Sequence, residues 1–312
     1  MAVIQDGIDR GLHRGAQLYL GRQGVTVADL AVGMTTDTPM PWLSSTKPVA
    51  AVAIAQLWER QKLELDDPVM KHIPEFGNNG KEAITIRHLL THTAGIRAIA
   101  GNWEDAPREQ VIEAICRMRV EPGWVPGKKA GYHAATTWYI LGELVRRLDG
   151  RPFEQYVREE VLLPAGMKDS SIDRPGAGGK GPIRDLGRFY EMLLNRGTWD
   201  RTRIISPQTV EALTARHRVG MFDHTFKRKI DWGLGFIINS AYYGDETTPY
   251  GFGPHASDRT FGHSGQQSST GFADPEHVLV VAWAFDGMPG EKRHDERLRA
   301  VDAAIYEDLR LL

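Results

Sequence analysis

Apolar and polar positions divide this chain into strand-rich ends and a helical middle. Residues 16–22 and 25–32 are apolar, β-prone runs on either side of Gln23-Gly24, a pattern that predicts a β-hairpin. Residues 47–62 then carry Val49, Ala50, Ala51, Val52, Ala53, Ile54, Ala55, Leu57 and Trp58, apolar on nearly every face. That describes a helix buried on all sides, running through the centre of the protein. From about 67 to 214, apolar residues recur at helical spacing in 85–93, 108–119, 136–149 and 184–195, separated by Pro and Gly punctuation such as residues 121–127. Strands are expected to be scarce there. After about 230 the β signal returns in 232–240, 259–264, 269–273 and 278–285, and an amphipathic helix covers roughly 292–311. One sheet assembled from both chain ends follows. No internal repeat interrupts the pattern, and Gly176 to Gly181 is too short for a linker.

With 312 residues and 41% apolar content, the chain can bury a large core in one unit or in two joined domains. Net charge is −2 with both signs interspersed, so there is no basic stripe and nucleic acid is not an expected partner. Cys116 is the only cysteine, which excludes an internal disulfide and the Cys clusters of most structural zinc sites. The first residues show no basic segment leading into an apolar one, and no window approaches the roughly 20 apolar residues of a membrane span. A soluble, cytoplasmic protein acting on a small molecule, with no metal and no cofactor, is the expectation.

Ser44 and Lys47 have S-x-x-K spacing. On a helix, residues three apart share a face, which brings hydroxyl and amine within hydrogen-bond reach. Pro48 is tolerated only in a first turn, so it places the helix start just before itself. Ser44 would sit at that N-terminus, where free N–H groups favour a developing oxyanion. A lysine at the mouth of an apolar helix loses solvation, its pKa falls, and the neutral amine becomes a base. A plain N-cap serine and a solvated first-turn lysine would read identically, so the pair alone does not decide.

The surrounding residues do more. Leu43 to Pro48, Leu63 to Pro68, Ile84 to Gly95, and the stretch from Asp169 to Leu213 together resemble the serine β-lactamase-like family. That family comprises class C β-lactamases, D-alanyl-D-alanine carboxypeptidases, their esterase relatives and a few acyltransferases. The resemblance runs almost end to end. It implies an α/β fold: an antiparallel sheet domain from residues 1–66 and 215–312, an inserted, mainly helical domain at 67–214, and the active site between them. It also implies that Tyr132, in Tyr132-His133-Ala134, occupies the family's second motif, usually Tyr-x-Asn. Alanine offers an amide substrate neither the donor nor the acceptor of asparagine, which points toward esters. Tyr132 beside a charged Lys47 is expected to have a lowered pKa and to share the acid and base roles.

By the same resemblance Gly262-His263-Ser264-Gly265 is the third motif, on a strand facing Ser44. The oxyanion donors would be the amides of Ser44 and Gln266, with His263, Gly265, His133 and Trp232 contacting substrate. Trp42, Trp103, Trp124, Phe222 and Tyr243 would join Trp232 in an aromatic acyl pocket. Rival readings are weaker. Gly262 to Gln266 nearly spells G-x-S-x-G, but the fifth residue is Gln and fewer than fifty residues follow to supply an acid and a histidine. His88 and His92 are four apart on an expected helix, yet Leu89 stands where a zinc protease needs Glu. Gly176 to Gly181 carries Pro182 where a phosphate loop needs Lys, and is expected to be a surface loop. The expected function is therefore ester hydrolysis through an acyl-enzyme on Ser44. Acyl transfer by the same intermediate, β-lactam or D-amino-acid peptide hydrolysis, and a silent binding protein are the alternatives.

Overall fold

The computed structural model describes every residue except 100–102, 104–105 and 245–250. Helix α1 (Ala2–Asp9) precedes a hairpin of β1 (Ala16–Arg22) and β2 (Val25–Val32). Strand β3 (Met40–Leu43) leads through one 3₁₀ turn, Ser44–Thr46, into α2 (Lys47–Glu59). The middle carries α3 (Ile86–Leu90), α4 (Arg108–Arg117), α5 (Thr136–Asp149) and α6 (Phe153–Val157), then short strands β4 (Ser171–Ile172) and β5 (Gly179–Gly181). Helix α7 (Ile183–Leu194), the small hairpin β6 (Thr198–Trp199) and β7 (Thr202–Arg203), and α8 (Pro207–Thr214) follow. A second small hairpin, β8 (Phe222–Asp223) and β9 (Arg228–Lys229), opens the last third. Strands β10 (Asp231–Trp232), β11 (Ile237–Ile238), β12 (Phe261–Ser264), β13 (Ser269–Asp274) and β14 (Leu279–Phe285) lead to α9 (Glu291–Asp308).

The main sheet has the order β10-β11-β12-β13-β14-β1-β2, with antiparallel neighbours throughout. Its seam is the β14–β1 pair, where Ala16 faces Phe285 and Arg22 faces Leu279. This pairing joins the two ends of the chain. Both faces of β14 are buried, so its run Leu279–Phe285 is apolar without alternation, whereas β2 is the exposed edge. Helix α2 is buried from Lys47 to Leu57, consistent with its apolar residues on every face. A single truncation such as Ile54→Ala would cost about 2–5 kcal/mol.

Two features depart from the sequence pattern. Helix α1 is amphipathic but short, with only Ile4 and Gly7 buried, too little periodicity to be read. The glycine-rich stretch at 176–181 is also not a surface loop. Strand β5 lies between β3 and β4 in a three-stranded sheet, with Met40 opposite Gly181. Glycine lets this backbone pack directly against the segment that carries Ser44.

Candidate active site

Ser44 sits at a corner between β3 and α2. The residue before it, Leu43, adopts φ 49° and ψ −131°, a conformation costing a non-glycine residue about 1–3 kcal/mol. Its surroundings hold it there. Ser45 Oγ donates to the His263 carbonyl at 3.1 Å, and Ser269 Oγ donates to the Trp42 carbonyl at 2.6 Å, tying the corner to β12 and β13. On the other side the Gly179 N–H donates to Thr46 Oγ1 at 2.9 Å. Gly265 is required by contact: a Cβ there would lie 2.3 Å from the Trp42 carbonyl oxygen and 3.0 Å from Leu43 Cβ. The roles of Ser45, Thr46 and Ser269 do not show in the sequence, because short hydroxyl residues carry no pattern of their own.

Lys47 Nζ lies 2.9 Å from Ser44 Oγ and donates to the Gly176 carbonyl at 2.7 Å. The lysine is fully buried. Its remaining surroundings are the rings of Tyr132 and Trp138, at 5.1 and 5.5 Å. Among the described residues no carboxylate pairs with it, and burial drives its pKa well below the ordinary lysine value. The ring faces favour a cation only weakly by comparison. A neutral Lys47 spends one N–H on Gly176 and keeps a lone pair for the Ser44 proton.

Tyr132 Oη donates to Ser44 Oγ at 2.8 Å. Burial raises the tyrosine pKa above its ordinary value, with the Ser44 hydrogen bond opposing only in part. The expected lowering is thus reversed, because it assumed a charged Lys47 and both groups are desolvated together. Tyr132 is a resting proton donor. Its backbone N–H donates to Asp223 Oδ1 at 3.1 Å, and the other Asp223 oxygen accepts from the buried Arg218 guanidinium at 3.0 Å. Phe226 packs on the Tyr132 ring at 4.8 Å. Hairpin β8–β9 therefore clamps Tyr132 in place.

Several expected substrate contacts turn out to be supports. His133 is fully buried, and its Nε2 accepts the N–H groups of Gly95 and Ile96, each at 3.1 Å. Burial pushes its pKa down to about 3, so it is a neutral acceptor bracing a loop. His263 is 2% exposed and packs behind Tyr132 and Trp232, its pKa likewise pushed down to about 3, chiefly by burial. Trp232 and Trp42 are completely buried and belong to the core, not to an acyl pocket. Both backbone groups of Gly265 are engaged in the β12–β13 hairpin, its N–H to Ser269 and its carbonyl to Ser268. His92 follows α3 with φ 58° and accepts the His133 N–H at 3.0 Å, under the Tyr132 ring. Gln266, at the tip of the hairpin, is exposed.

A groove of about 580 Å³ opens beside Tyr132 and Ala134. A larger cavity of about 880 Å³ lies elsewhere, between the β1–β2 hairpin and α7, and none of the groups bonded to Ser44 lines it.

A Ser–Lys–Tyr cluster, with the lysine buried and the serine and tyrosine half-buried, on an antiparallel sheet with a helical middle defines an enzyme of the serine-hydrolase class. The chain belongs to the beta-lactamase family, whose model matches residues 2–305. A family VIII carboxylesterase structure is 26% identical, superposes with a TM-score of 0.82, and covers 97% of this chain and 95% of its own. A penicillin-binding protein homologue from Caulobacter crescentus has the same score and identity, over 97% and 96%. Among curated relatives, the esterase/beta-lactamase LipL of Mycobacterium tuberculosis is 24% identical over 86% of this chain and 76% of its own length. No helix among the described residues is long and apolar enough to cross a membrane.

Proposed function

We propose that the protein hydrolyses carboxylic esters through an acyl-enzyme on Ser44. One observation carries this reading: Ser44 Oγ receives both Lys47 Nζ and Tyr132 Oη within 2.9 Å, and among the described residues the lysine has no carboxylate to keep it charged. Neutral Lys47 takes the Ser44 proton as Oγ bonds to the ester carbonyl carbon. The amides of Ser44 and Gln266 hold the resulting oxyanion. As the ester C–O bond breaks, Tyr132 gives its proton to the departing alkoxide and is reprotonated from Lys47. Water then attacks the acyl-enzyme, passing its proton through the same pair and releasing the acid.

Ala134 supports an ester rather than an amide substrate. It is exposed beside Tyr132 and offers no side-chain donor or acceptor for an amide group. The test is intact-mass analysis after exposure to p-nitrophenyl butanoate. Wild type should gain one butanoyl group and Ser44→Ala none. No adduct on either would sink the reading, and faster turnover of a chromogenic cephalosporin than of the ester would overturn the ester preference.

A further inference from the structure

We infer that the groove beside Tyr132 binds a carboxylate-bearing portion of the substrate, with Arg119 as the residue that selects it. This deepens the ester-hydrolase reading and rests on it for the turnover measurement alone.

The groove neighbours the reacting groups: Tyr132, whose hydroxyl meets Ser44, lines it together with Ala134, while Ser44 and Lys47 lie outside the lining. Its volume of about 580 Å³ is that of a small-molecule site. Ala98, Met118, Val120 and Pro122 supply apolar wall, which suits a hydrocarbon chain. Two oppositely charged residues in the lining cancel each other. Arg97 Nε donates to both Glu121 carboxylate oxygens, at 2.9 and 3.1 Å, and the Arg97 N–H donates to Glu121 as well. That pair is a fixed wall, with Arg97 also donating to Thr225 Oγ1 at 3.1 Å. Thr225 in turn donates to the Tyr132 carbonyl, joining the wall to the site.

Arg119 is the remaining charge. It is exposed, lines the groove, and has no ion pair or hydrogen bond among the described residues. The described lining therefore has a net charge of +1, held by one guanidinium with all its donors unspent. An arginine on the wall of an apolar groove, with its planar fork of N–H donors unpaired, matches a carboxylate at the end of a hydrocarbon chain. A neutral ester fills the channel and leaves the fork to water.

The test compares p-nitrophenyl hemiesters of straight-chain diacids with p-nitrophenyl esters of neutral acids of equal length. A second pair, butanoate esters of an ω-hydroxy acid and of the plain alcohol, asks whether the carboxylate belongs to the acyl or the alcohol part. Wild type should favour the anionic member of at least one pair by about tenfold in kcat/KM, as expected of one charged hydrogen-bonded contact. In Arg119→Glu that ratio should fall to one or below, and Arg119→Lys should keep part of it. A wild-type ratio near one in both pairs, or a ratio unchanged by Arg119→Glu, overturns the inference.

Binding separates this failure from failure of the hydrolase reading. The monobutylamide of adipic acid is titrated calorimetrically into Ser44→Ala and into Ser44→Ala/Arg119→Glu. If no ester is turned over yet the amide binds only the first protein, the groove assignment stands and the reaction does not. If neither protein binds it and both esters in each pair react alike, the assignment falls while ester hydrolysis stands.

Discussion

Lys47 Nζ donates to the carbonyl oxygen of Gly176 at 2.7 Å across 129 residues of sequence, and among the described residues this neutral acceptor stands where the buried amine would otherwise have a counter-ion. A carbonyl orients the nitrogen without fixing its charge. In the folded protein Lys47 is held well below its ordinary pKa of 10.5, so the unfolded chain binds one more proton across that window and stability rises with pH. Lys47→Met should therefore be more stable than wild type at neutral pH, with the gap in Tm closing as pH approaches about 10.5. The same variant should lose about a thousandfold in ester turnover. A Lys47→Met protein less stable than wild type at pH 7 would show that the amine is charged.

Tyr132 is expected to act as an acid and not as a base. Tyr132→Phe removes the donor to Ser44 while keeping the ring that packs on Phe226 and His92. Turnover should fall about a hundredfold or more with little change in Tm. Because burial raises the tyrosine pKa, the wild-type pH profile should show no loss of activity from tyrosine ionisation up to about pH 10. A wild-type profile that needs ionised tyrosine would reverse the assignment.

What sequence could and could not reveal follows from the range of the interactions. Ser44 and Lys47 are three residues apart at a helix start, so their contact is local and the spacing makes it one of two readings, which the surrounding motifs then separate. The buried helix α2 and the strand runs of the main sheet show in the pattern for the same reason: each is a property of one segment. The sign of the Tyr132 shift did not, since it depends on Lys47 losing its charge inside a shared apolar environment. His263, His133 and Trp232 sit near the right place but are covered by their neighbours, and that burial is set by packing from distant segments. Asp223 lies 91 residues from Tyr132, and nothing in either segment announces the bond between them.

The turn that carries Gln266 is anchored from the C-terminal helix. Arg297, 4% exposed, donates to the Gln267 carbonyl at 3.0 Å and to the Leu12 carbonyl at 2.9 Å. Gln267 itself accepts the Gly290 N–H at 2.8 Å and donates to Glu291 at 2.9 Å. If the Gln266 amide holds the oxyanion, Arg297→Lys should lower the acylation rate about tenfold with KM little changed. Assays run equally far below the Tm of each variant separate this from simple destabilisation. An Arg297→Lys protein that acylates at the wild-type rate would remove the anchor from the mechanism.

Asp302 offers a test of the fold away from the chemistry. Its side chain is fully buried on α9, where Oδ1 accepts the Trp283 indole N–H at 2.9 Å and Oδ2 has no hydrogen bond among the described residues. Burial pushes its pKa from 3.8 up to about 8. The folded protein therefore holds a proton that the unfolded chain has released between those values, and stability falls as pH rises across that range. Asparagine keeps an acceptor for Trp283 and never ionises. Asp302→Asn should nearly match wild type at pH 4 and exceed it in unfolding free energy by on the order of 5 kcal/mol at pH 8. Denaturant titrations of both proteins at several pH values would measure this directly. A constant difference from pH 4 to 8 would mean that Asp302 is ionised in the fold and has a partner that the present geometry does not contain.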